Sequence, residues 1–481
     1  MFADVTVAGT KMHHLIVFNS SANDGAVESS HRDQRRDQHR VTETLAAPLM
    51  LLIAFCALLL VPVRCLGQTR PSNRQLVVAL SGTNDVKRIA AIHRIGVTRE
   101  AQRTALPDMT EAMAKLASNT KRVAINKRDE NDLPAGVLQL INCIGTIDSP
   151  VATESLVNVF TCDRDSWIAA AALSLGSNQR TAAITAIEAL TEHPAYAQRY
   201  GFRFAVAKAL VQMDDPRAWD ALAMIADQTD GQLQHLMNEA FKQVTLEQFD
   251  DDAPRFARWQ ARVGIDVESP ELLGPNPEQP EPQTDTIKLV DAPSESSSSN
   301  MKLVESEYYG IPIYAKRLLF LVDCSGSMAE AYNGRIRMQQ AKAELIEAIE
   351  LLEPSTEFSI LAYNERIDFF QHDLVQATEE NKYKATSFVR KLKPIKNTDI
   401  HGALRAALVF DSQVEAVFLL SDGRPTAGRL TAPAAILQDI LSYNRFHNLT
   451  FNSIGVGVES EMRSFLQKLA EPSDGEFRLV Q

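Results

Sequence analysis

An unbroken apolar run, Leu318 to Val322, ends abruptly in Asp323-Cys324-Ser325-Gly326-Ser327-Met328. A continuous run of this length, closed by a Gly-containing turn, predicts a strand buried on both faces, the kind found inside parallel sheets. A second run, Ala416 to Leu420, ends the same way in Ser421-Asp422-Gly423. The segments around them alternate in period. Ile336–Leu352 is amphipathic, with Ala341, Leu345, Ala348, Ile349 and Leu352 on one helical face. Phe358–Tyr363 and the shorter Ile367–Phe370 read as strands, and Asn381–Lys391 and His401–Phe410 as helices. Helices over Ala434–Tyr443 and Glu461–Ala470 alternate with strands over Leu449–Val458 and Phe477–Val480. Strands alternating with helices predict an α/β doubly wound, mostly parallel, Rossmann-like sheet over residues 308–481. Tyr308–Tyr314 contains a proline and is expected as an edge strand.

In such a sheet, ligands bind beyond the carboxyl ends of the strands. Asp323 there supplies charge, Ser325 and Ser327 supply neutral oxygens, and Gly326 lets the backbone turn between them. The motif resembles the D-x-S-x-S of von Willebrand factor type A (VWA) domains, and the resemblance runs from Tyr314 to Gln481. That family's metal-ion-dependent adhesion site takes two further ligands from later loops. The matching residues here are Thr398, in Asn-Thr-Asp-Ile-His-Gly-Ala-Leu, and Asp422, in Phe-Leu-Leu-Ser-Asp-Gly. The resemblance therefore implies a metal site of Asp323, Ser325, Ser327, Thr398 and Asp422, with an open position for a partner's carboxylate. Donors that are all oxygen favour Mg²⁺, with Mn²⁺ or Ca²⁺ as alternatives. Asp399 is expected as an N-terminal helix charge rather than a ligand. Cys324, at the variable position of the motif, is expected as a small core filler, because hard-cation sites use oxygen. The family usually closes with a helix after the last strand. The sequence stops at Gln481, so a relay through that helix is not carried over.

From about Gln75 to Val263 the chain is rich in Ala, Leu, Ile and Val at helical spacing. Ile141–Pro150 and Ala207–Pro216 share a pattern: an apolar helical end, then Asp, one residue and Pro. Proline suits the first turn of a following helix, and a nearby Asp suits its N-terminus. Ala169–Ser177 reads as a helix end stopped by its glycine, and Val86–Gly96 as an earlier copy. Paired helices recurring at roughly 30 to 40 residues indicate an all-α solenoid, similar to HEAT-type repeats, over 75–263. His93, His193 and His235 are isolated in sequence and are expected at the surface or internally satisfied. Trp167, Trp219 and Trp259 are expected as core fillers.

Residues 1–44 are polar and carry Arg32, Arg35, Arg36 and Arg40, and Leu45–Val63 is apolar with Pro48 and Pro62 near its ends. With Cys65 and Gly67 before Gln68, residues 45–67 read as a secretory signal or, alternatively, as a membrane anchor with its N-terminus inside. Met12 offers an alternative start. Both readings place the protein outside the cytoplasm, in the envelope, periplasm or extracellular space. Residues 266–307, dense in Pro, Glu, Asp, Gln and Ser, have few apolar side chains to offset ordering and are expected as an acidic linker that spaces the two domains.

The formal net charge of −12 argues against a nucleic-acid role, which calls for a basic face. Five cysteines form no C-x-x-C pair, which leaves no zinc or redox motif and no disulfide framework. The function expected is non-catalytic capture of a protein partner's acidic side chain through the cation, with the helical repeats as a second contact surface. A metal-dependent hydrolase or phosphatase is the alternative. It lacks a general base beyond the ligands, since His401 has no second His or Cys near it, and it lacks a phosphate-cradling lysine loop. A chaperone-like partner of an ATPase is a third reading.

Overall fold

Asn84, Thr98, Ser149, Asp215 and Asp252 punctuate the first half of the chain, each accepting a backbone N–H at the start of a helix. The computed structural model describes residues 73–96, 98–120, 133–264, 306–395 and 397–480. The expected leader, the 45–67 segment and nearly all of the expected linker lie outside the described residues. The helices between 73 and 264 are α1 (Asn73–Ser81), α2 (Asp85–Ile95), α3 (Arg99–Ser118), α4 (Ala135–Gly145), α5 (Pro150–Val157), α6 (Asp165–Ser177), α7 (Ile184–Glu188), α8 (Pro194–Gln198), α9 (Tyr200–Val211), α10 (Pro216–Ala226), α11 (Gly231–Phe241) and α12 (Ala253–Val263). They share one apolar core in which Trp167, Trp219 and Trp259 are buried. Pro150 and Pro216 stand in the first turns of α5 and α10, where a missing N–H costs nothing.

One helix end differs from its expected form. Gly176 does not stop α6 but lies inside it, and the chain turns at Gln179, whose φ is 54°. A Cβ at Gly176 would collide with the backbone of Ala209. The glycine therefore serves close approach of α6 to α9, helped by the buried alanines Ala169–Ala172.

Residues 306–480 form the α/β domain. The strands are β1 (Glu307–Tyr308), β2 (Ile311–Pro312), β3 (Arg317–Asp323), β4 (Ala331–Tyr332), β5 (Arg335–Ile336), β6 (Glu357–Tyr363), β7 (Ile367–Phe369), β8 (Val375–Gln376), β9 (Ala416–Ser421), β10 (Thr450–Val456) and β11 (Phe477–Val480). The helices are α13 (Arg337–Leu351), α14 (Glu379–Lys391), α15 (Ile400–Leu408), α16 (Pro433–His447) and α17 (Ser460–Ala470). The main sheet runs β11-β10-β9-β3-β6-β7, with β8 also on β6. Its pairings are parallel from β11 to β6 and antiparallel where β7 and β8 meet β6.

The pleat of β3 divides the two layers. Leu318, Phe320 and Val322 pack with α13 and α14, and Leu319 and Leu321 with α15, α16 and α17. Both faces are covered, which is why the strand's sequence is apolar without alternation.

Tyr308–Tyr314 does not join the edge of the sheet. It folds on itself as the β1–β2 hairpin, because Tyr309 and Gly310 both take positive φ, 53° and 72°. That turn drives the Tyr308 ring into the core against Phe320, 5.3 Å between centroids.

The helical layer packs directly on the amino ends of the sheet strands. Tyr200 N–H donates to the Ser412 carbonyl (2.9 Å), Arg203 Nη2 to Gln413 Oε1 (2.9 Å) and Asn448 Nδ2 to the Gly201 carbonyl (3.1 Å). Glu415, just before β9, accepts from the backbone N–H of Gln232 (2.9 Å) and of Lys316 (3.2 Å), and from Arg317 Nη1 (3.0 Å). His235 is not isolated: its ring stacks on Tyr314 at 3.5 Å between centroids. Two glycines admit these contacts. A Cβ on Gly201 would strike the carbonyls of Phe446 and His447, and one on Gly231, at φ 70°, would strike the Glu415 carboxylate.

Candidate metal centre

Parallel neighbours β3 and β9 end side by side, which places Asp323 and Asp422 on one rim. Asp323 is the last residue of β3 and is wholly buried. Its Oδ1 accepts the Ser325 N–H at 2.8 Å, the local bond that curls the chain back after the strand. Its Oδ2 accepts from the Ser421 hydroxyl (3.1 Å) and the Tyr363 hydroxyl (3.4 Å). Beyond the turn, the Ser325 and Ser327 hydroxyls lie 3.0 Å apart. Both reach Asp422 Oδ1, Ser327 at 2.8 Å and Ser325 at 3.4 Å. Gly326 opens the short 3₁₀ turn Gly326–Ala329 that aims the two hydroxyls the same way.

Thr398 is held through its backbone by the loop after β9. Its N–H donates to the Thr426 hydroxyl (2.9 Å), and its carbonyl accepts from Thr426 N (2.9 Å) and Ala427 N (3.1 Å). The next residue, Asp399, donates its N–H to the Asn364 carbonyl just past β6 (2.7 Å). Thr398 is buried there, and among the described residues the hydrogen bonds of the cluster join Asp323, Ser325, Ser327 and Asp422 without its hydroxyl.

The electrostatics are those of a site short of positive charge. Burial, and then the nearby Asp422 charge, push Asp323 up to about 7. Burial also raises Asp422, opposed by its bonds to Ser327 and Arg337. Among the described residues the basic side chain that reaches this pair is Arg337, whose Nη1 lies 3.2 Å from Asp422 Oδ2. Asp323 is held by an N–H and two hydroxyls, with no basic side chain among those partners. Two buried carboxylates and the converging hydroxyls form a hard-oxygen donor set, and that chemistry fits a divalent cation, with the Arg337 guanidinium a competitor for one carboxylate.

The neighbouring residues serve other ends. Asp399 caps α15 by accepting the Gly402 N–H at 2.7 Å. His401 bonds Asp439 at 2.8 Å between α15 and α16. Cys324 is buried in the core beneath the motif, where burial pushes its thiol up to about 12. Cys143, Cys162 and Cys324 are free thiols.

Sequence reasoning missed Ser421, Tyr363 and Arg337. Ser421 adjoins Asp422, and Tyr363 ends a strand predicted next to β3, so both had a positional signal. Arg337 had a subtler one, a basic residue opening a helix. Among the described residues no helix is long and apolar enough to cross a membrane.

Residues 316–479 match the family model described as von Willebrand factor type A domain. The chain is similar to inter-alpha-trypsin inhibitor heavy chain H2 of Sus scrofa, 29% identical over 171 residues, covering 33% of this chain and 17% of that protein. It is likewise similar to heavy chain H4 of Homo sapiens, 30% identical over 182 residues, covering 36% of this chain and 19% of that protein. The chain thus spans less than a fifth of the length of these two curated relatives. A solved structure titled von Willebrand factor type A from Catenulispora acidiphila is 22% identical, covers 34% of this chain and 38% of that one, and superposes with a TM-score of 0.30.

Proposed function

We propose that this chain, whose residues 316–479 are a VWA domain, is an exported, non-catalytic protein-binding module. In this reading Asp323, Ser325, Ser327, Thr398 and Asp422 hold a divalent cation, Mg²⁺ by preference, that accepts a carboxylate from a protein partner. The observation that carries it is the pairing of two buried carboxylates through the Ser325 and Ser327 hydroxyls at the ends of adjacent strands. A bound ion would supply the missing positive charge and a Lewis-acidic position for an oxygen ligand. The protein's part is to fix the donors, exclude water beneath them and orient Asp323 through Ser421 and Tyr363.

Similarity to inter-alpha-trypsin inhibitor heavy chains over this domain supports an interaction role rather than an enzymatic one. The helical layer provides a second contact surface. Export rests on the sequence of residues 45–67.

The test is a pull-down from envelope and extracellular extracts with the full chain, with Mg²⁺ or with EDTA, repeated with Asp422→Ala. Partners lost on chelation and in the variant are the expected result. Partners retained equally under all conditions would assign recruitment to the helical layer instead.

A further inference from the structure

Arg337 stands where helix electrostatics disfavour it. It is the first residue of α13, at the positive end of the helix dipole, and no acidic residue shares that first turn. A basic residue placed against the helix dipole is held there by other contacts, and here those contacts face the rim. Its side chain is only 13% exposed and is turned onto the rim. Nη1 donates to Asp422 Oδ2 (3.2 Å), to the Ser327 carbonyl (3.3 Å) and to Glu330 Oε2 (3.4 Å). Glu330 is 71% exposed, so water weakens its hold on the guanidinium.

The surroundings are shaped around this side chain. The β4–β5 hairpin brings the Tyr332 ring beside it, 5.6 Å from Cζ to the ring centroid. The Arg337 N–H donates to the Glu330 carbonyl (3.1 Å), closing the base of that hairpin onto α13. Gly457, at φ 62°, leaves room on the far side: a Cβ there would press on the Tyr332 ring at 2.9 Å and on Arg337 Nη2 at 3.2 Å. Arg337 Nε is buried with no partner.

We infer that Arg337 is a specificity-determining residue of the rim: a fixed positive charge on the outer oxygen of Asp422 that lowers the site's affinity for its cation and widens the loaded site's preference for an anionic ligand over a neutral one. This rests on the metal-dependent reading above. Two ionised carboxylates and a divalent ion cancel, and Arg337 then adds a positive charge that the exposed, water-screened Glu330 offsets only in part. A carboxylate is then drawn to it over an amide of the same shape more strongly than by the ion alone. The same charge competes with the ion for Asp422, so selectivity for the ligand is gained at the expense of metal affinity.

Mn²⁺ alone is the first probe, with the free ion read by electron paramagnetic resonance on the full chain. Arg337→Gln is expected to bind Mn²⁺ about tenfold more tightly, the scale of one charge-assisted bond removed from competition. Arg337→Lys, which keeps the charge, should stay close to wild type. Water-proton relaxation of the bound Mn²⁺ then reads displacement of its water by glutarate or by glutaramide. Both should favour glutarate, wild type by a margin several-fold wider than Arg337→Gln; an equal margin in the two overturns the inference. Circular dichroism confirms the fold of each variant. Equal or weaker Mn²⁺ binding by a folded Arg337→Gln overturns this inference and leaves the metal site standing, as does an Arg337→Lys that behaves like Gln. Absence of Mn²⁺ binding in wild type and both variants overturns the metal-dependent reading itself, and this inference with it.

Discussion

The Glu415 carboxylate accepts the backbone N–H of Gln232 at 2.9 Å and so fastens the start of α11 to the start of β9. The bond joins a helix of the first half of the chain to the central sheet of the second. Replacing Glu415 by Ala leaves the N–H groups of Gln232 and Lys316 without their acceptor and Arg317 without a near-buried partner. The expected cost is about 3 kcal/mol of global stability, read as a lower urea midpoint.

The same residue has a pH signature. Burial holds the Glu415 carboxyl above its ordinary value of 4.5, although two N–H bonds and Arg317 pull the other way. A folded pKa above the unfolded one means the folded state binds the proton more tightly. This group's contribution is therefore complete below about pH 4.5 and is lost as pH rises through the folded pKa. Glu415→Gln should flatten that part of the stability profile, measured by urea unfolding in steps from pH 4 to pH 8 (about one step per unit).

Close helix approach at Gly176 gives a second stability test. Gly176→Ala places a methyl against the backbone of Ala209, which cannot give way as a flexible side chain can. Overpacking should outweigh the helix propensity gained and cost about 2 kcal/mol, seen as a lower thermal midpoint.

Metal binding should appear as stabilisation. At a Mg²⁺ concentration about a thousand times Kd, unfolding free energy should rise by about 4 kcal/mol, and EDTA should reverse it. Asp323→Asn should abolish the Mg²⁺ response while raising the stability of the metal-free protein by about 1 kcal/mol, because it removes one of two buried like charges. A Mg²⁺ response that survives in Asp323→Asn would remove that carboxylate from the site.

Thr398 is placed by its backbone, and its hydroxyl is the most independent of the five proposed donors. Thr398→Val keeps the shape and removes the oxygen. Mg²⁺ affinity should fall about tenfold, less than for Asp422→Ala, as expected of a neutral donor beside a charged one. Isothermal titration distinguishes the two.

The α/β domain was legible because its strands are buried on both faces and therefore stand out as continuous apolar runs, β3 and β9 above all. Asp323, Ser325, Ser327 and Asp422 lie at or just beyond the ends of such runs, and the resemblance to the D-x-S-x-S motif singled them out as a set, which the structure brings together. Tyr308–Tyr314 misled because the positive φ of Tyr309 is a backbone property that a tyrosine does not advertise. Gly176 misled because a glycine that stops a helix and a glycine that lets two helices touch look alike in sequence. The docking of helices on the sheet was illegible altogether. Its acceptor, Glu415, is a lone acid before a strand, and its donors are main-chain groups far away along the chain.

That docking lies at the amino ends of the strands, whereas Asp323 and Asp422 lie at the carboxyl ends. A force applied between the Ser325 loop and the helical layer would therefore run lengthwise along β3 and β9. Parallel ladders pulled along their length resist as a set, because all of their hydrogen bonds must slide together rather than open one after another from an end. Tension between those two ends would load the β3–β9 ladder in shear.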